Sequence, residues 1–256
     1  MKFKNDKQMK TIKEYKAKAK ANFNVSRLLS DGNTNAKTSK NDIKTFILYI
    51  APFNQNNKGI NLCPMASKGC AAACLFSAGR GKFSNVKQAR INKANLYVND
   101  RETFLNLLGY EIQKEIVKSI KGGYKIAFRL NGTSDVYFLD KLKKAKIFDY
   151  SKTPSNVIFY DYTKILKKCE KYKGDKKYIL TFSRSESNES DWLKALEQNI
   201  TTSVVFGNYI PKEYKGKKVI DGDKSDLLML YNKNTILGLK AKGDAKKDKS
   251  NFVINL

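Results

Sequence analysis

Three cysteines crowded into one short stretch are the residues of this chain best placed to do chemistry. Cys63, Cys70 and Cys74 have the spacing C-x6-C-x3-C within the segment CPMASKGCAAAC. Cys70 and Cys74 are four residues apart, so a helical segment between them would project both sulfurs from one face. Pro64 and Gly69 allow the chain to fold back, which would bring Cys63 to the same place. The spacing therefore predicts a shared metal or iron–sulfur ligand.

Two identities for that ligand are open at this point. Three thiolates with a vacant fourth position suit a [4Fe–4S] cluster whose remaining iron binds a substrate or cofactor. They also suit zinc, completed by a fourth ligand such as the distant Cys169 or a carboxylate. Buried small hydrophobic side chains are the alternative interpretation, and it suits the isolated Cys169 best.

Histidine is absent from the chain, which removes whole classes of mechanism. Ser-His-Asp and Cys-His catalysis, imidazole acid–base chemistry and zinc hydrolases with histidine ligands are all excluded. Any proton transfer must use Asp, Glu, Lys, Tyr or Cys side chains.

The chain is strongly basic, with 50 Lys and Arg against 24 Asp and Glu and a formal charge of +26. Such a field attracts polyanions, and nucleic acid is the expected partner. Only six of the cations are Arg, the side chain that contacts bases and phosphates through two parallel hydrogen bonds. The composition therefore favours contact with nucleic acid without a dedicated sequence-reading surface. A lysine-rich codon bias is the alternative explanation of the charge.

These residues need a scaffold, and the hydrophobic pattern predicts strands that alternate with helices. Seven apolar runs are typical of strands: 45–52, 124–130, 156–162, 177–182, 201–206, 217–221 and 235–241. Helical spacing of apolar residues covers 86–96, 104–120, 136–145, 163–172, 191–198 and 224–231. Such alternation is typical of βαβ units around a parallel sheet. We expect an α/β fold, a single-domain partial or complete TIM-like (β/α) barrel with parallel strands. A doubly wound sheet is the alternative.

The chain is expected to divide into a lead-in and one folded domain. Residues 1–40 are basic and polar, with a surface helix predicted over 11–22. Residues 41–256 form the predicted barrel-like domain, with a cysteine loop at 53–82. No secretory leader and no run of about 18 apolar residues is found, so we expect no membrane contact and a cytoplasmic protein. In that reducing compartment, cysteines are expected to be thiols or ligands.

Polar side chains follow almost every predicted strand at its carboxyl end, where parallel barrels build their sites. The second strand is followed by NGTSD (131–135), the third ends at YDYTK (160–164), which contains Asp161 and Lys164, and the fourth is followed by Ser183 and Arg184. Each of these residues alone has a structural alternative, since Ser, Asn and Asp commonly cap helices. Their convergence with the cysteines on one rim indicates a site. The candidate catalytic residues are Asp135, Arg184, Lys164 and Asp161.

The chain resembles the "gene product eighty-eight" family, whose members are encoded by bacteriophages and prophages. The likeness is carried by CPMASKGCAAACLFSAGRGKFSNVKQAR, FRLNGTSDV, FYDYTK and LTFSRSESNE. The cysteine block with its SAGRG continuation is its most specific part. Where the family has a Ser-Gly-Asp-like turn, this chain has Gly-Thr-Ser-Asp, which leaves Asp135 in place.

That arrangement is in turn similar to radical S-adenosylmethionine enzymes, in which a three-cysteine loop follows the first strand of a partial barrel. The usual spacing in those enzymes is C-x3-C-x2-C, shorter than the spacing here. The similarity implies a [4Fe–4S] cluster on Cys63, Cys70 and Cys74, with S-adenosylmethionine as cofactor. It also implies that the methionine end of that cofactor meets the turn after the second strand and that its carboxylate, or the substrate, meets the end of the fourth. The implied cofactor-binding residues are Thr133, Ser134, Asp135, Ser183 and Arg184.

Three functions are compatible with these features. The first is a phage-type iron–sulfur enzyme of the radical S-adenosylmethionine type that acts on nucleic acid or nucleotides, in the host cytoplasm if a phage encodes it. The second is a zinc-containing barrel that modifies DNA bases, with Asp135, Asp161 or Asp221 as the catalytic carboxylate. The third is a basic nucleic-acid-binding protein without catalytic activity, in which a metal only orders the cysteine loop.

Overall fold

Helices and strands alternate along most of the chain in a computed structural model that describes residues 6–32, 43–77, 79–230, 232 and 234–256. The helices of these ranges are α1 (Asp6–Phe23), α2 (Lys68–Ala72), α3 (Ser84–Asn99), α4 (Arg101–Gly122), α5 (Phe138–Lys144), α6 (Leu166–Lys171) and α7 (Glu189–Glu197). The strands are β1 (Leu29–Asp31), β2 (Lys44–Leu48), β3 (Ile126–Arg129), β4 (Val157–Thr163), β5 (Tyr178–Ser183), β6 (Thr202–Phe206), β7 (Glu213–Tyr214), β8 (Lys217–Asp221), β9 (Ile236–Lys240) and β10 (Val253–Ile254).

The strands form one sheet that is largely parallel. Its order is β1-β2-β3-β4-β5-β6-β9-β8-β7, and the seven neighbours from β2 to β8 run parallel. β1 is antiparallel to β2 at one edge, and β7 is antiparallel to β8 at the other. β10 pairs with the last two residues of β6, beyond the point where β5 ends. The parallel strands therefore bring their carboxyl ends to one edge.

The predicted α/β class is confirmed, as a mixed α/β fold with a largely parallel ten-stranded sheet. All seven predicted strands are present, and the apolar patterns miss only the short strands β1, β7 and β10. The helix predicted over 224–231 is wrong, because the chain forms a 3₁₀ turn there at Asp226–Leu230. Among the described strands β1 and β7 each have one neighbour. Closure into a barrel stays a prediction.

The predicted lead-in is partly described. Its helix is α1, which packs against α4, and the chain then joins the sheet as β1. Residues 1–5 and 33–40 of the predicted lead-in lie outside the described residues. None of the helices in the described ranges has the length and hydropathy that a membrane crossing needs.

The helices pack against one face of the sheet. One buried cluster contains a residue from each helix except α2, and it includes Phe128 and Phe159 of neighbouring strands, whose ring centroids lie 5.2 Å apart. Side chains alternate between faces along a strand, so Ala127 points to the opposite face. There Leu227 and Met229 of the 3₁₀ turn cover a second, smaller cluster. One face is thus covered by helices, and the other carries the smaller cluster under the 3₁₀ turn.

Candidate cofactor site beneath the cysteine loop

A cavity of about 230 Å³ lies at the carboxyl edge of the parallel strands. The cysteine loop between β2 and α3 forms one wall, and the ends of β3, β4, β5, β6 and β9 form the other. Its polar and thiol-bearing lining residues are Cys63, Cys70, Cys74, Arg129, Asn131, Thr133, Ser134, Asp135, Tyr162, Thr163, Lys164, Ser183, Lys240 and Lys242. The structure therefore brings all three cysteines and most of the predicted strand-end residues into one cavity.

Cys63 lies where the cysteine loop meets the turn after β3. Its thiol donates to the carbonyl oxygen of Thr133, with 3.6 Å between sulfur and oxygen. The backbone N–H of Asp135 donates to the carbonyl oxygen of Leu62 at 2.9 Å. These two contacts fasten the loop to the turn, so the first cysteine and the polar turn form one structural unit.

Cys70 is carried by the short helix α2. The hydroxyl oxygen of Ser67 caps this helix by accepting from the N–H of Cys70 at 3.1 Å. The helix ends at Ala72, two residues before Cys74, so the two cysteines do not share one regular helix as the spacing predicts. Both sulfurs nevertheless line the cavity, because a tight turn follows in which the N–H of Cys74 donates to Ala71.

Glu186 holds α2 onto the sheet. One carboxylate oxygen accepts from the Ser67 hydroxyl at 2.7 Å, and the other accepts from the N–H of Gly69 at 2.6 Å. A side chain at Gly69 has no room, because its Cβ would lie 2.8 Å from both Glu186 Oε1 and the Cβ of Phe252. Sequence reasoning missed Glu186. Its place in the turn after β5, beside Arg184, was the available signal.

Arg90 of α3 orders the second half of the cysteine loop. It is buried, its Nη1 donates to the carbonyl oxygen of Phe76 at 3.0 Å, and its guanidinium lies 4.8 Å from the ring centre of Tyr49. Gly81 allows this approach, since a Cβ there would lie 2.9 Å from Arg90 Nη1. Burial lowers the pKa of Arg90. This residue was also missed by sequence reasoning.

Burial favours the protonated form of two of the thiols. Burial raises the pKa of Cys63 to about 12, and it also raises the pKa of Cys74. The neighbouring cysteines raise both pKa values further: Cys74 and Cys70 act on Cys63, and Cys70 acts on Cys74. Among the described residues, no three His, Cys, Asp or Glu side chains are arranged to hold a single metal ion. A bound cation would have to displace the thiol protons.

Asp135 anchors the strand ends and has its carboxylate oxygens occupied. They accept from the Thr163 hydroxyl at 2.8 and 2.9 Å, from the N–H of Lys164 at 2.9 Å and from Lys168 Nζ at 3.0 Å. Lys168 is completely buried and also donates to the carbonyl oxygen of Val136. Asp135 lines the cavity, as predicted, but its contacts are those of a residue that fixes the wall.

Asp161 lies beneath the cavity and is not among its lining residues. Its carboxylate accepts from the backbone N–H and the side-chain amide of Asn131, at 2.7 and 3.0 Å, and from the Tyr178 hydroxyl at 3.0 Å. Burial raises the pKa of Asp161. The structure therefore places this predicted catalytic residue in a buried support for the turn after β3.

Thr133 and Ser134 line the cavity with hydroxyl groups whose protons are already donated. Thr133 Oγ1 donates to the carbonyl oxygen of Ile50 at 2.6 Å, and Ser134 Oγ donates to Asn131 Oδ1 at 3.0 Å. A hydroxyl that donates inward still has acceptor capacity. This turn can therefore offer oxygen atoms to a cationic group in the cavity.

Lys164 and Ser183 supply donors at the ends of the neighbouring strands β4 and β5. Lys164 Nζ lies 3.2 Å from Ser183 Oγ, which is also 3.2 Å from Ser203 Oγ. Lys164 Nζ also lies 5.6 Å from the ring centre of Phe252, over the cavity. An ammonium group next to a hydroxyl suits an anionic group such as a carboxylate. Both residues are where the sequence predicted them.

Arg184 points away from the cavity and is not among its lining residues. Its Nε donates to Glu189 at 2.6 Å, and its Nη1 donates to the carbonyl oxygens of Asn251 and Phe252 at 2.9 and 3.4 Å. Phe252 in turn lines the cavity. Arg184 therefore fixes the C-terminal segment that completes the cavity wall.

Two residues considered for the zinc alternative lie elsewhere. Cys169 is buried in the main core on α6, and Asp221 ends β8, where it accepts from the N–H of Asp223 at 2.9 Å. Neither lines the cavity. Burial also raises the pKa of Cys169 well above its ordinary value.

The fold and the site define a class: a mixed α/β protein whose largely parallel sheet carries a thiol-lined cavity at its carboxyl edge. The chain belongs to the Gene product 88 family, whose model matches residues 27–256. This match confirms the family resemblance of the cysteine block and the strand-end segments. No curated protein and no solved structure matches the chain.

Proposed function

We propose that this protein is an iron–sulfur enzyme of the radical S-adenosylmethionine type. One observation carries the proposal: the three cysteines line a single cavity together with the Gly-Thr-Ser-Asp turn, and Cys63 contacts that turn directly. Cys63, Cys70 and Cys74 are the residues that would hold the cluster. Three cysteine ligands leave one iron of a [4Fe–4S] cluster open to a cofactor.

The thiol arrangement supports a cluster over a single zinc ion. Zinc bound at about 2.3 Å from each sulfur needs all its ligands around one point. No described group of three such side chains meets that need. In a cluster each cysteine binds a different iron, so the sulfurs can stand farther apart around the same cavity.

The other walls suit a cofactor with an amino acid end. When bound, the cluster would supply the electron that reductively cleaves S-adenosylmethionine. Lys164 and Ser183 can bind a carboxylate, and the oxygens of Thr133 and Ser134 can accept from an ammonium group. Lys164 thus takes the role that the resemblance assigns to Arg184. Asp135 positions this wall through its bonds to Thr163 and Lys164.

The topology supports a partial barrel. β2 to β6 are adjacent in chain order, and the helices that contribute to the main core share one cluster on one face of the sheet. In a doubly wound sheet, helices cover both faces. Helices on a single face leave the other face to enclose a site, as in (β/α) barrels.

Anaerobic purification followed by reconstitution with iron and sulfide tests the proposal. We expect a brown protein with about four irons per chain and broad absorbance at about 400 nm. Each of the changes Cys63→Ser, Cys70→Ser and Cys74→Ser should remove most of that iron, whereas Cys169→Ser should retain it. A colourless protein that keeps one zinc per chain would overturn the proposal in favour of the zinc alternative.

Cofactor binding is tested separately on the reconstituted protein. With dithionite as reductant, S-adenosylmethionine should be cleaved, and the change Lys164→Met should weaken its binding about tenfold, since one charge-assisted hydrogen bond is lost. A reconstituted protein that binds four irons but neither binds nor cleaves S-adenosylmethionine would support the proposed cluster and refute S-adenosylmethionine as its cofactor.

A further inference from the structure

An acid-free stretch of the chain contains the cysteine loop, which forms one wall of the cavity. Residues 43–99 contain no Asp or Glu but eight Lys or Arg, although an even spread of the 24 acidic residues over 256 positions would place about five there. A lysine-rich codon bias raises the number of lysines but does not remove carboxylates from one segment. The absence of Asp and Glu therefore makes the cysteine loop a selectively positive surface.

The exposed side chains of this surface combine cations with large apolar groups. Lys68, Arg80 and Lys82 are exposed. Leu75 and Phe83 expose 54% and 62% of their surface, and Leu75 also lines the cavity. Leu75 therefore lies at the mouth of the cavity, and Phe83 directly follows the 3₁₀ turn Gly79–Lys82. Exposed apolar groups among cations are typical of a binding surface.

Three carboxylates near the cavity are engaged by partners of their own. Glu186 is used by Ser67 and Gly69, and Asp135 is paired with the buried Lys168. Asp223 pairs with Lys242 at 2.8 Å. The cysteine loop itself carries no acidic residue, so its positive electrostatic field favours an anionic ligand at the mouth of the cavity.

We propose that single-stranded nucleic acid binds across this surface, with Phe83 stacked on a base, Arg80 and Lys82 on phosphates, and an adjacent base directed into the cavity. Aromatic stacking with cations along the backbone is the usual means of binding single strands without sequence preference. Enzymes that modify a base take it out of the stack or act on single strands. The chemistry in the cavity rests on the proposed function above, but the binding does not require the cluster.

Fluorescence anisotropy with labelled single-stranded DNA and RNA of mixed sequence tests this surface on the full chain, with and without reconstitution. We expect Arg80→Ala/Lys82→Ala to weaken binding at least tenfold and to reduce the slope of log K against log salt by about 1.4, at 0.7 per phosphate contact. Phe83→Ala should weaken binding about tenfold through lost stacking, with a nearly unchanged salt slope.

Matched variants at the opposite edge of the sheet are the controls. Lys173→Ala/Lys176→Ala removes the same charge from exposed positions, and Ile120→Ala removes a side chain that is 48% exposed. Both should change binding less than threefold. Equal losses from both double variants, an unchanged affinity in Phe83→Ala, or equal binding of polyglutamate or duplex DNA would overturn the proposal. Strand binding by a cluster-free protein would support this surface even if the proposed cofactor failed.

Discussion

The two walls of the cavity are held in different ways. The strand-end wall is a buried network in which Asp135 accepts from Thr163, Lys164 and Lys168. The cysteine wall is a loop fastened from outside, through Glu186 at α2 and Arg90 at Phe76. The first wall is part of the core, so changes in it should cost stability. The second wall carries the thiols, so changes in the contacts that hold it should weaken cofactor binding at the site and have little effect on the stability of the fold.

The largest effect is expected from breaking the strand-end network at Lys168. The change Lys168→Met keeps the aliphatic chain but leaves the buried Asp135 carboxylate without its cation. Removing one partner of a buried pair typically costs about 3–5 kcal/mol. We expect a loss of at least about 3 kcal/mol in the free energy of unfolding, measured by urea denaturation.

The matched control lies on the same helix. Lys171 pairs with Asp140 at 2.6 Å, with side chains that are 52% and 32% exposed. Water and salt screen such a pair, so Lys171→Met should cost less than about 1 kcal/mol. Similar losses in the two variants would show that the strand-end wall is no more tightly held than the surface.

The second effect concerns the thiol of Cys63 at the junction of the two walls. Its pKa is raised from 9.0 to about 12, chiefly by burial. Iodoacetamide reacts with the thiolate, so at pH 8 we expect Cys63 in the folded, cluster-free protein to react at least about a hundredfold more slowly than in the urea-unfolded chain. Site-resolved mass spectrometry measures both rates.

The same shift fixes a pH dependence of stability. The folded-state pKa lies above the unfolded one, so the unfolded chain releases this proton first as the pH rises. The contribution of the protonated thiol is therefore complete below pH 9 and declines from pH 9 toward 12. A Cys63→Ser variant should lack this part of the decline, and an unchanged profile would contradict the burial of the thiol.

The third effect is expected at the cysteine wall alone. Glu186→Ala removes both acceptors that hold α2, and supports of metal ligands typically contribute 10- to 100-fold in affinity. We expect about tenfold weaker iron retention, with a loss of less than about 1 kcal/mol in stability. In cluster-free protein, alkylation of Cys70 should become several times faster.

Two variants sharpen this test. Glu186→Gln keeps one acceptor and should give an intermediate result, and Glu197→Ala removes an exposed carboxylate of α7 and should behave like wild type. Faster alkylation of Cys70 in Glu186→Ala, in a protein that binds no iron, would support the role of Glu186 in holding α2 and would count against the cluster. A large loss of stability in Glu186→Ala would remove the distinction between the walls.

Most of the parallel strands could be predicted from the sequence because they contain continuous apolar runs. β4 and β5 keep alternate residues in the main core, and their ends carry the polar side chains that line the cavity. The two-residue strands β7 and β10 have no such pattern, since only pairing with β8 and β6 makes them strands. The position of β9 between β6 and β8 is likewise a matter of tertiary pairing.

The sequence predicted which residues form the candidate site better than it predicted what each of them does there. Position after a strand identified Lys164 and Ser183, and crowding identified the cysteines. The sequence could not show that the carboxylate of Asp135 accepts a hydrogen bond from Lys168, or that the carboxylate of Asp161 accepts one from Asn131. Those partners lie about 30 residues away in the chain. The position of Glu186 after a strand was a signal that it could belong to the site, but its role could not be predicted, since that role depends on the loop that folds onto it.

The smallest effect is expected at Arg184, which its position after a strand placed among the cofactor-binding residues and which is not among the residues that line the cavity. Arg184→Lys keeps the charge, but an ammonium group cannot bind Glu189 and the carbonyl oxygen of Asn251 on opposite sides as the guanidinium does. We expect a loss of about 1 kcal/mol in stability and faster tryptic cleavage at Lys246, Lys247 or Lys249. In Arg184→Lys, the affinity for S-adenosylmethionine should change less than threefold. In Lys164→Met, that affinity should fall, whereas the rate of tryptic cleavage of the C-terminal segment should stay unchanged. The opposite pattern, an affinity loss in Arg184→Lys with normal protection of the C-terminal segment, would return Arg184 to the cofactor side of the cavity.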